Sequence, residues 1–516
     1  MQQHRMKTVP FKHQQEAYEL SKDSEYFAYF CEMGTGKSKI IIDNICHLYT
    51  TGKIVCALIV APKGVIPAWF SNSDSGASGQ LVEHMWDIPH NIVTWSPDKT
   101  KKNQAALDSV ILPPASFDTG QPPFHRRPLR ILLMNVEAIS TRRGVLTAKD
   151  FLVQGPSFMA VDESTTIKSI STNRSKGACW LGRMATYRRI GTGMPVEQSP
   201  LELYGQCEFL KPGLLGHRSF YSFRGVYASL VNLELPTGKF ITDPSGERHQ
   251  VKRRTQKVVG YKNLERLSKL LKGFSYRVKK EDCLDLPDKI YQTRVVELTD
   301  DQRRVYKTMR DKAVAELTLG DNATWSGQCT APIVITQLLR LHQIVCGHLP
   351  LDGGGVVELP HNRMTALLEV LEEAQGKVIV WATYRRDVQA IESKLREVYG
   401  DCVVSYFGDT TQDDRADATK RFQTDPECRF FVGTPSTAGM GLTLTAASTV
   451  VYYSNSHSVK HRVQSEDRAH RIGQTKAVTY IDLVCPQTVD ALILKSLREK
   501  RELAELVVDD GWKALI

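Results

Sequence analysis

Short apolar runs punctuate the first part of the chain, and the stretches between them repeat apolar residues at helical spacing. Runs at 26–30, 54–61, 131–135, 158–161 and 188–191 predict strands. Between the first two, Ile40, Ile41, Ile45 and Leu48 mark the buried face of a helix. Such alternation predicts a parallel sheet covered by helices on both faces, with ligands bound beyond the carboxyl ends of the strands. The pattern restarts beyond about residue 360, with strands expected at 377–382, 402–406, 430–432, 449–453 and 479–484 and a helix over 386–398. The chain is therefore expected to be an α/β protein with two lobes of similar size.

Residues from 216 to 288 show neither pattern and are expected to stand outside both sheets. Residues 227–256 read as turns and short strands, with Pro244-Ser245-Gly246 as a hairpin tip. Residues 116–128, with Gly120, Pro122 and Pro123, read as a surface loop. Beyond Pro486 the chain is expected to be helical, with Leu492, Ile493, Leu497, Leu503 and Leu506 on one apolar stripe.

A chain of 516 residues is too long for one core. No apolar run approaches a membrane span, and the first residues carry no apolar signal region. The eleven Cys include no CxxC pair, which suits reduced thiols and a cytoplasmic protein. His342, Cys346 and His348 could form a metal cluster on paper, but they lack a fourth ligand nearby and read as structural. Charge changes the picture more. Of the net +10, the segment 217–280 carries fifteen Lys/Arg against four Asp/Glu, so the remainder is nearly neutral. A basic segment on a neutral body suggests a polyanionic partner, most often nucleic acid.

Two stretches 125 residues apart carry the chemistry. In Glu32-Met33-Gly34-Thr35-Gly36-Lys37-Ser38, a Gly-rich turn can wrap backbone N–H groups around phosphate, Lys37 can reach the β/γ-phosphates, and the Ser38 hydroxyl can ligate Mg²⁺. Cys31 stands where the full phosphate-loop pattern has its first Gly. In Phe158-Met159-Ala160-Val161-Asp162-Glu163-Ser164-Thr165, Asp162 can hold Mg²⁺ and Glu163 can polarise the attacking water. Either stretch alone has a bland explanation; the pair, in this order and context, points to ATP hydrolysis. A third stretch, residues 464–474, reads alone as a charged solvated helix. Read with the others, it offers Arg468 and Arg471, at i and i+3 on one helix face, to a γ-phosphate held in a cleft between the lobes.

That last run, Gln464-Ser465-Glu466-Asp467-Arg468-Ala469-His470-Arg471-Ile472-Gly473-Gln474, resembles the final helicase motif of the Swi/Snf-like ATPases of helicase superfamily two. Other motifs follow in order. Phe11-Lys12-His13-Gln14-Gln15 resembles the family's adenine-reading element, and Val60-Ala61-Pro62-Lys63, with Trp69, its second motif. Gly191-Thr192-Gly193-Met194-Pro195 resembles the motif coupling ATP to the nucleic-acid track, and residues 209–216 the segment that follows it. Arg277-Val278-Lys279-Lys280 and Leu286-Pro287-Asp288-Lys289 are similar to its inter-lobe linker, and Gly439-Met440-Gly441-Leu442-Thr443-Leu444-Thr445 to its fifth motif.

The resemblance implies two RecA-like lobes, at 1–215 and 289–484, a basic insertion and linker at 216–288, and a brace helix at 485–516. It assigns nucleotide contacts to Gln14, Gly34, Thr35, Gly36, Lys37, Ser38, Asp162 and Gly441. Mg²⁺ falls to Ser38 and Asp162, catalysis to Lys37, Glu163, Arg468 and Arg471, and coupling to Thr192, Gly193 and Gln464. DNA phosphates are expected on Lys63, Thr443, Lys252, Arg253 and Arg254. Asp-Glu-Ser-Thr departs from the family's frequent Asp-Glu-Ala/Gly-His and removes the usual His link to the coupling motif. No bromodomain, chromodomain, RING or histone-binding module is recognisable, as in compact bacterial or viral members. The expected activity is a DNA-dependent ATPase moving along double-stranded DNA as a monomer, without sequence preference. A strand-separating helicase on single-stranded DNA or RNA, and a nucleotide-gated DNA-binding factor with little turnover, remain alternatives.

Overall fold

The computed structural model describes residues 6–73, 76–111, 127–242, 248–322, 331–350, 355–408, 410, 412–438 and 442–508. The chain divides into two compact units, Met1–Ala228 with Tyr261–Asp285 and Arg501–Ile516, and Ser229–Gly260 with Leu286–Lys500.

The first unit holds a seven-stranded sheet. Its strands are β1 (Tyr26–Cys31), β2 (Cys56–Ala61), β3 (His90–Thr94), β4 (Leu129–Asn135), β5 (Ser157–Asp162) and β6 (Tyr187–Gly191). Next in the chain comes a two-stranded hairpin of β7 (Ala228–Thr242) and β8 (Arg248–Tyr261), most of it grouped with the second unit, and then β9 (Ser275–Val278), the seventh strand of the first unit's sheet. The sheet order is β9-β1-β6-β5-β2-β4-β3, and every neighbouring pair is parallel. The central strands are buried along their whole length, as in β2 and β5, which is why they read as unbroken apolar runs.

Helix α1 (Lys12–Ser21) and helix α2 (Lys37–Thr50) flank β1 in sequence. Ile40, Ile41, Ile45 and Leu48 of α2 are fully buried in the core beside Tyr29, Ile59 and Phe158. Arg189 of β6 fastens the two helices to the sheet. Its buried guanidinium donates to the carbonyls of Ser21 (2.6 Å) and Ser24 (2.8 Å) and to Asn44 Oδ1 (3.0 Å).

The expectation that residues 216–288 stand outside both sheets is corrected at β9. This strand pairs with β1, setting Ala28 beside Ser275 and Cys31 beside Val278. The reading of 227–256 as turns and short strands is corrected too, since β7 and β8 run for 15 and 14 residues. The expected tip at Pro244-Ser245-Gly246 lies outside the described residues, as does most of the loop expected over 116–128.

The second unit holds a six-stranded sheet of β10 (Lys289–Val295), β11 (Lys377–Trp381), β12 (Val403–Tyr406), β13 (Phe430–Gly433), β14 (Ala447–Tyr452) and β15 (Val478–Val484). Its order is β10-β15-β14-β11-β13-β12, again parallel throughout. The last helix, Val489–Val508, buries Ile493 and Leu497. Leu492, expected on the same stripe, is instead exposed. His342 shares a hydrogen bond with Tyr384 Oη (2.7 Å) and lies 3.3 Å from Asp490, while His348 lies 3.2 Å from Asp387. Among the described residues no helix is long and apolar enough to cross a membrane.

Candidate nucleotide site

The site begins where β1 ends. Gly34 and Gly36 sit at φ +82° and +86°, a left-handed conformation that glycine adopts without a Cβ clash. They bend the chain from Cys31 into α2, whose first N–H groups and dipole form an anion-binding end. Lys37 opens the helix and is buried; its Nζ donates to the carbonyls of Cys31 (2.8 Å) and Glu32 (3.1 Å). The ammonium is thus folded onto its own loop. Thr35 Oγ1 donates to the Glu32 carbonyl (2.8 Å), and Ser38 is half-buried in the first turn of α2.

Helix α1 is fastened to the back of this loop. Gln14 Nε2 donates to the Thr35 carbonyl (3.0 Å), the His13 ring bonds the same oxygen (2.8 Å), and Gln14 Oε1 accepts from Phe11 N–H (3.0 Å). A Cβ at Gly36 would stand 2.1 Å from Gln14 Nε2.

Asp162 ends β5 beside Gly191 of β6. Its Oδ2 accepts from Trp69 Nε1 (2.9 Å) and its Oδ1 from Glu163 N–H (2.9 Å). A Cβ at Gly191 would stand 3.6 Å from Asp162 Oδ1 and 3.8 Å from Lys37 Cδ. Lys37 and Asp162 therefore border one small space beside Gly191. Glu163 follows with φ +50° and ψ +55°, a left-handed backbone unusual outside glycine.

The segment Gly191-Thr192-Gly193-Met194-Pro195 lies against the same loop. Thr192 N–H donates to the Tyr29 carbonyl (3.0 Å), and Thr192 Oγ1 accepts from Met194 N–H (3.2 Å). A Cβ at Gly193 would stand 3.1 Å from Met33 N. Arg277 of β9 donates to the carbonyls of Phe30 (2.9 Å) and Gly193 (3.3 Å) and lies 3.7 Å from a Glu32 carboxylate oxygen. Sequence reasoning placed Arg277 in the linker and Trp69 with the second motif, and gave neither a contact at the loop. Both belong to the surroundings of the loop. The signal that could have found Arg277 is the short run Ser275-Tyr276-Arg277-Val278, whose alternation is faint.

In the second unit, helix α3 (Val459–Ala469) carries Gln464 and Arg468, both buried. Arg468 donates to the carbonyls of Gln464 (2.9 Å) and Leu442 (3.0 Å), and Arg471 donates to the same Leu442 oxygen (3.1 Å). The expectation of two arginines on one helix face is corrected: α3 ends at Ala469, so Arg471 lies beyond it. The two guanidinium groups instead converge through the Leu442 carbonyl. Burial draws the Arg471 pKa below its ordinary value, with Asp467 opposing. Gln474, without a role in the sequence reading, donates to the carbonyls of Thr445 (3.1 Å), Ala447 (2.8 Å) and Ala469 (3.1 Å) and ties the two motifs together. Thr443 is half-buried, and Gly441 lies outside the described residues.

Of the expected DNA contacts, Lys63 is exposed at the start of a short turn beyond β2. Lys252 and Arg254 are exposed on β8, with Arg253 between them in the strand. Glu234 of β7 lies 3.7 Å from Lys252 and 3.2 Å from Arg254, and Gln256 donates to Asn232 (3.2 Å). The period of two sets Lys252, Arg254 and Gln256 on one face of the hairpin.

Residues 29–348 match the SNF2-related domain, and residues 362–473 match the helicase conserved C-terminal domain. The chain therefore belongs to the SNF2-related family and is a Swi/Snf-like ATPase of helicase superfamily two. TATA-binding protein-associated factor MOT1 of Saccharomyces cerevisiae is 25% identical over 68% of this chain and 20% of its own length. ATP-dependent helicase brm of Drosophila melanogaster is 23% identical over 93% of this chain and 28% of its own. An uncharacterized ATP-dependent helicase of Mycoplasma pneumoniae is 22% identical over 93% and 40%. The Sulfolobus solfataricus SWI2/SNF2 ATPase core in complex with dsDNA aligns over 99% of this chain and 96% of its own, at 21% identity and a TM-score of 0.40. The chain spans between a fifth and two-fifths of the length of these three curated relatives.

Proposed function

We propose that this protein is a DNA-dependent ATPase that moves along double-stranded DNA without reading its sequence. The observation that carries the reading is the shared space bordered by Lys37, Asp162 and Gly191, with Glu163 next in the chain. Lys37 exchanges the carbonyls of Cys31 and Glu32 for the β/γ-phosphates. Gln14, held at the loop, contacts the adenine. The Ser38 hydroxyl and the Asp162 carboxylate are the groups that would hold Mg²⁺, which would neutralise phosphate charge there. Trp69 and the Glu163 N–H keep the Asp162 carboxylate oriented. Glu163 orients the attacking water, and Arg471 supplies positive charge to the γ-phosphate. Arg468, buried and bonded to two backbone carbonyls, holds the segment on which Arg471 also rests.

The basic hairpin and Lys63 support a polyanionic track. Exposed cations of this kind suit phosphates, which position a protein on nucleic acid without specifying sequence. Thr192 and Gly193, resting on the phosphate loop, pass changes at the ATP site toward that track, with Gln464 acting in the second unit.

The test is the ATPase rate with duplex DNA, single-stranded DNA and RNA, together with displacement of a triplex strand. Strongest stimulation by duplex and triplex displacement without unwinding of a plain fork support the proposal. Robust unwinding without duplex stimulation favours a strand separator. A flat rate with and without nucleic acid favours a nucleotide-gated binding factor.

A further inference from the structure

Glu163 is one of three non-glycine residues with positive φ among the described residues. A residue stays in such a conformation only where its surroundings hold it there. In front, its N–H donates to Asp162 Oδ1 (2.9 Å), and its carbonyl accepts from Thr166 N–H (2.9 Å). Behind it, Ser164 is fully buried, and its Oγ donates to Gln206 Oε1 (2.7 Å). Gln206, also fully buried on the helix Leu203–Leu210, donates through Nε2 to the carbonyls of Pro195 (2.7 Å) and Glu202 (3.1 Å). One planar amide thus fixes the span between the turn behind Glu163 and the segment Gly191-Thr192-Gly193-Met194-Pro195.

The contact is close by construction. A Cβ at Gly205 would stand 2.6 Å from the Lys168 carbonyl and 2.7 Å from that of Ile167, so only glycine lets the helix seat on this turn. A second, charged link runs beside the amide. Lys168 Nζ lies 2.6 Å from Glu197 and 2.9 Å from Glu202, and Glu202 accepts from Glu197 N–H (2.7 Å). The ion pair joins partly buried side chains at 12–26% exposure. The amide is buried and rigid, and its two ends accept and donate in one fixed geometry.

We propose that Gln206 is a positioning residue for hydrolysis. It holds the Ser164 turn so that Glu163 presents its carboxylate to the water, and it ties that presentation to the position of Pro195. Asp-Glu-Ser-Thr lacks a histidine to make such a link, and Gln206 with Ser164 makes it instead. The proposal rests on Glu163 as the water-orienting carboxylate.

Four variants test it: Gln206→Met, Ser164→Ala, their combination, and Glu163→Gln as the reference. Methionine fills the glutamine's space and makes neither bond. ATPase is measured at saturating ATP and duplex DNA, with KM for ATP and thermal melting alongside. Gln206→Met and Ser164→Ala should each lower kcat about tenfold or more, because a displaced catalytic group loses rate steeply with distance. KM for ATP should stay within about twofold, since phosphate and metal contacts are untouched. The double variant should be no worse than the worse single one, because both remove the same link. A merely structural role would lower the melting temperature and leave kcat per folded molecule unchanged.

Folded Gln206→Met with kcat within about twofold of wild type overturns the proposal, as do losses that multiply in the double variant. Should Gln206→Met not fold, Ser164→Ala and Gln206→Glu decide. The latter keeps an acceptor for Ser164 and removes the donor to Pro195, and normal kcat in both overturns the link. Normal turnover by Glu163→Gln defeats the underlying reading instead. An inactive Glu163→Gln beside a normal Gln206→Met defeats the link alone.

Discussion

Replacing Gly36 with alanine offers the sharpest view of how the phosphate loop is built. Gly36 has φ +86° and ψ +34°, where a Cβ is disfavoured by about 1 kcal/mol or somewhat more. The added Cβ would also stand 2.1 Å from Gln14 Nε2 and 3.2 Å from its Cδ, far inside contact distance. Gln14 must swing out, giving up its bonds to the Thr35 carbonyl and Phe11 N–H. Two such bonds contribute roughly 1–3 kcal/mol together. If Gln14 also contacts the adenine, Gly36→Ala should carry nearly the whole defect of Gln14→Ala plus the backbone strain. A double-mutant cycle on the ATP dissociation constant, measured by calorimetric titration, separates the two parts. In a Gln14→Ala background, Gly36→Ala should add only the strain, a loss of about fivefold. The coupling should therefore be about 1–3 kcal/mol. If the two losses add to within about 0.5 kcal/mol, Gln14 does not occupy this space in the nucleotide-binding state, and the reasoning is refuted.

Glu163→Gln should bind ATP normally and lose turnover by about 10²-fold or more, so near-normal hydrolysis removes Glu163 from the mechanism. Arg471→Ala should lower DNA-stimulated ATPase by about 10³-fold or more with little change in melting temperature, and an unchanged rate excludes it as the charge donor. Reversing Lys252, Arg253 and Arg254 to Glu should weaken binding to all duplex sequences alike and reduce the salt slope by about 0.9 per lost contact. Glu234→Gln should act oppositely, because it releases Lys252 and Arg254 from a neighbouring carboxylate; tight wild-type binding by the triple reversal would free the hairpin of any DNA role. In the second unit, burial alone would raise the Asp490 pKa, but the Arg363 guanidinium and His342 outweigh it and hold it at about 2. Because the folded pKa is lowered, the stabilisation is present above the ordinary 3.8 and disappears as pH falls toward about 2. It amounts to about 2 kcal/mol. Melting of this unit followed across that window checks it, and a flat profile contradicts it.

The strands legible in the sequence are those buried on both faces. Residues 54–61 and 158–161 read as apolar runs because β2 and β5 expose nothing. In the two large sheets, the strands that escaped notice are edges. β3 and β9 lie at opposite ends of the first sheet and β10 at one end of the second. Much of β10 is exposed, with Tyr291 and Val295 among its exposed residues. An edge strand with one solvated side loses the continuous apolar signal and shows at best a weak period of two. The hairpin failed to read as two long strands for a related reason: its second strand carries Lys252, Arg253, Arg254 and Lys257 in place of apolar positions.

The candidate site divides along a different line. Lys37, Asp162 and Glu163 were legible because their chemistry demands particular residues at fixed places after a strand. Trp69, Arg277 and Gln206 were not, because each acts through a bond to a residue far away in sequence. Trp69 meets Asp162 across 93 positions, Arg277 meets Phe30 across 247, and Gln206 meets Ser164 across 42. Trp69 and Arg277 stand in motifs that resemble the family's, but no local pattern names their partners, and Gln206 would pass as an ordinary core residue. The sequence does show that Thr165 stands where a family histidine is frequent, and so that a link is missing. Only the fold shows that the buried hydroxyl of Ser164, one residue earlier, has an amide within reach, and that the other end of this amide is bonded to Pro195. The departure that cast doubt on coupling and the glutamine that had no role are two ends of one hydrogen-bonded path. A Ser164 hydroxyl is too short to reach Pro195 by itself, so substitution at 206 should matter only in proportion to what substitution at 164 has left intact.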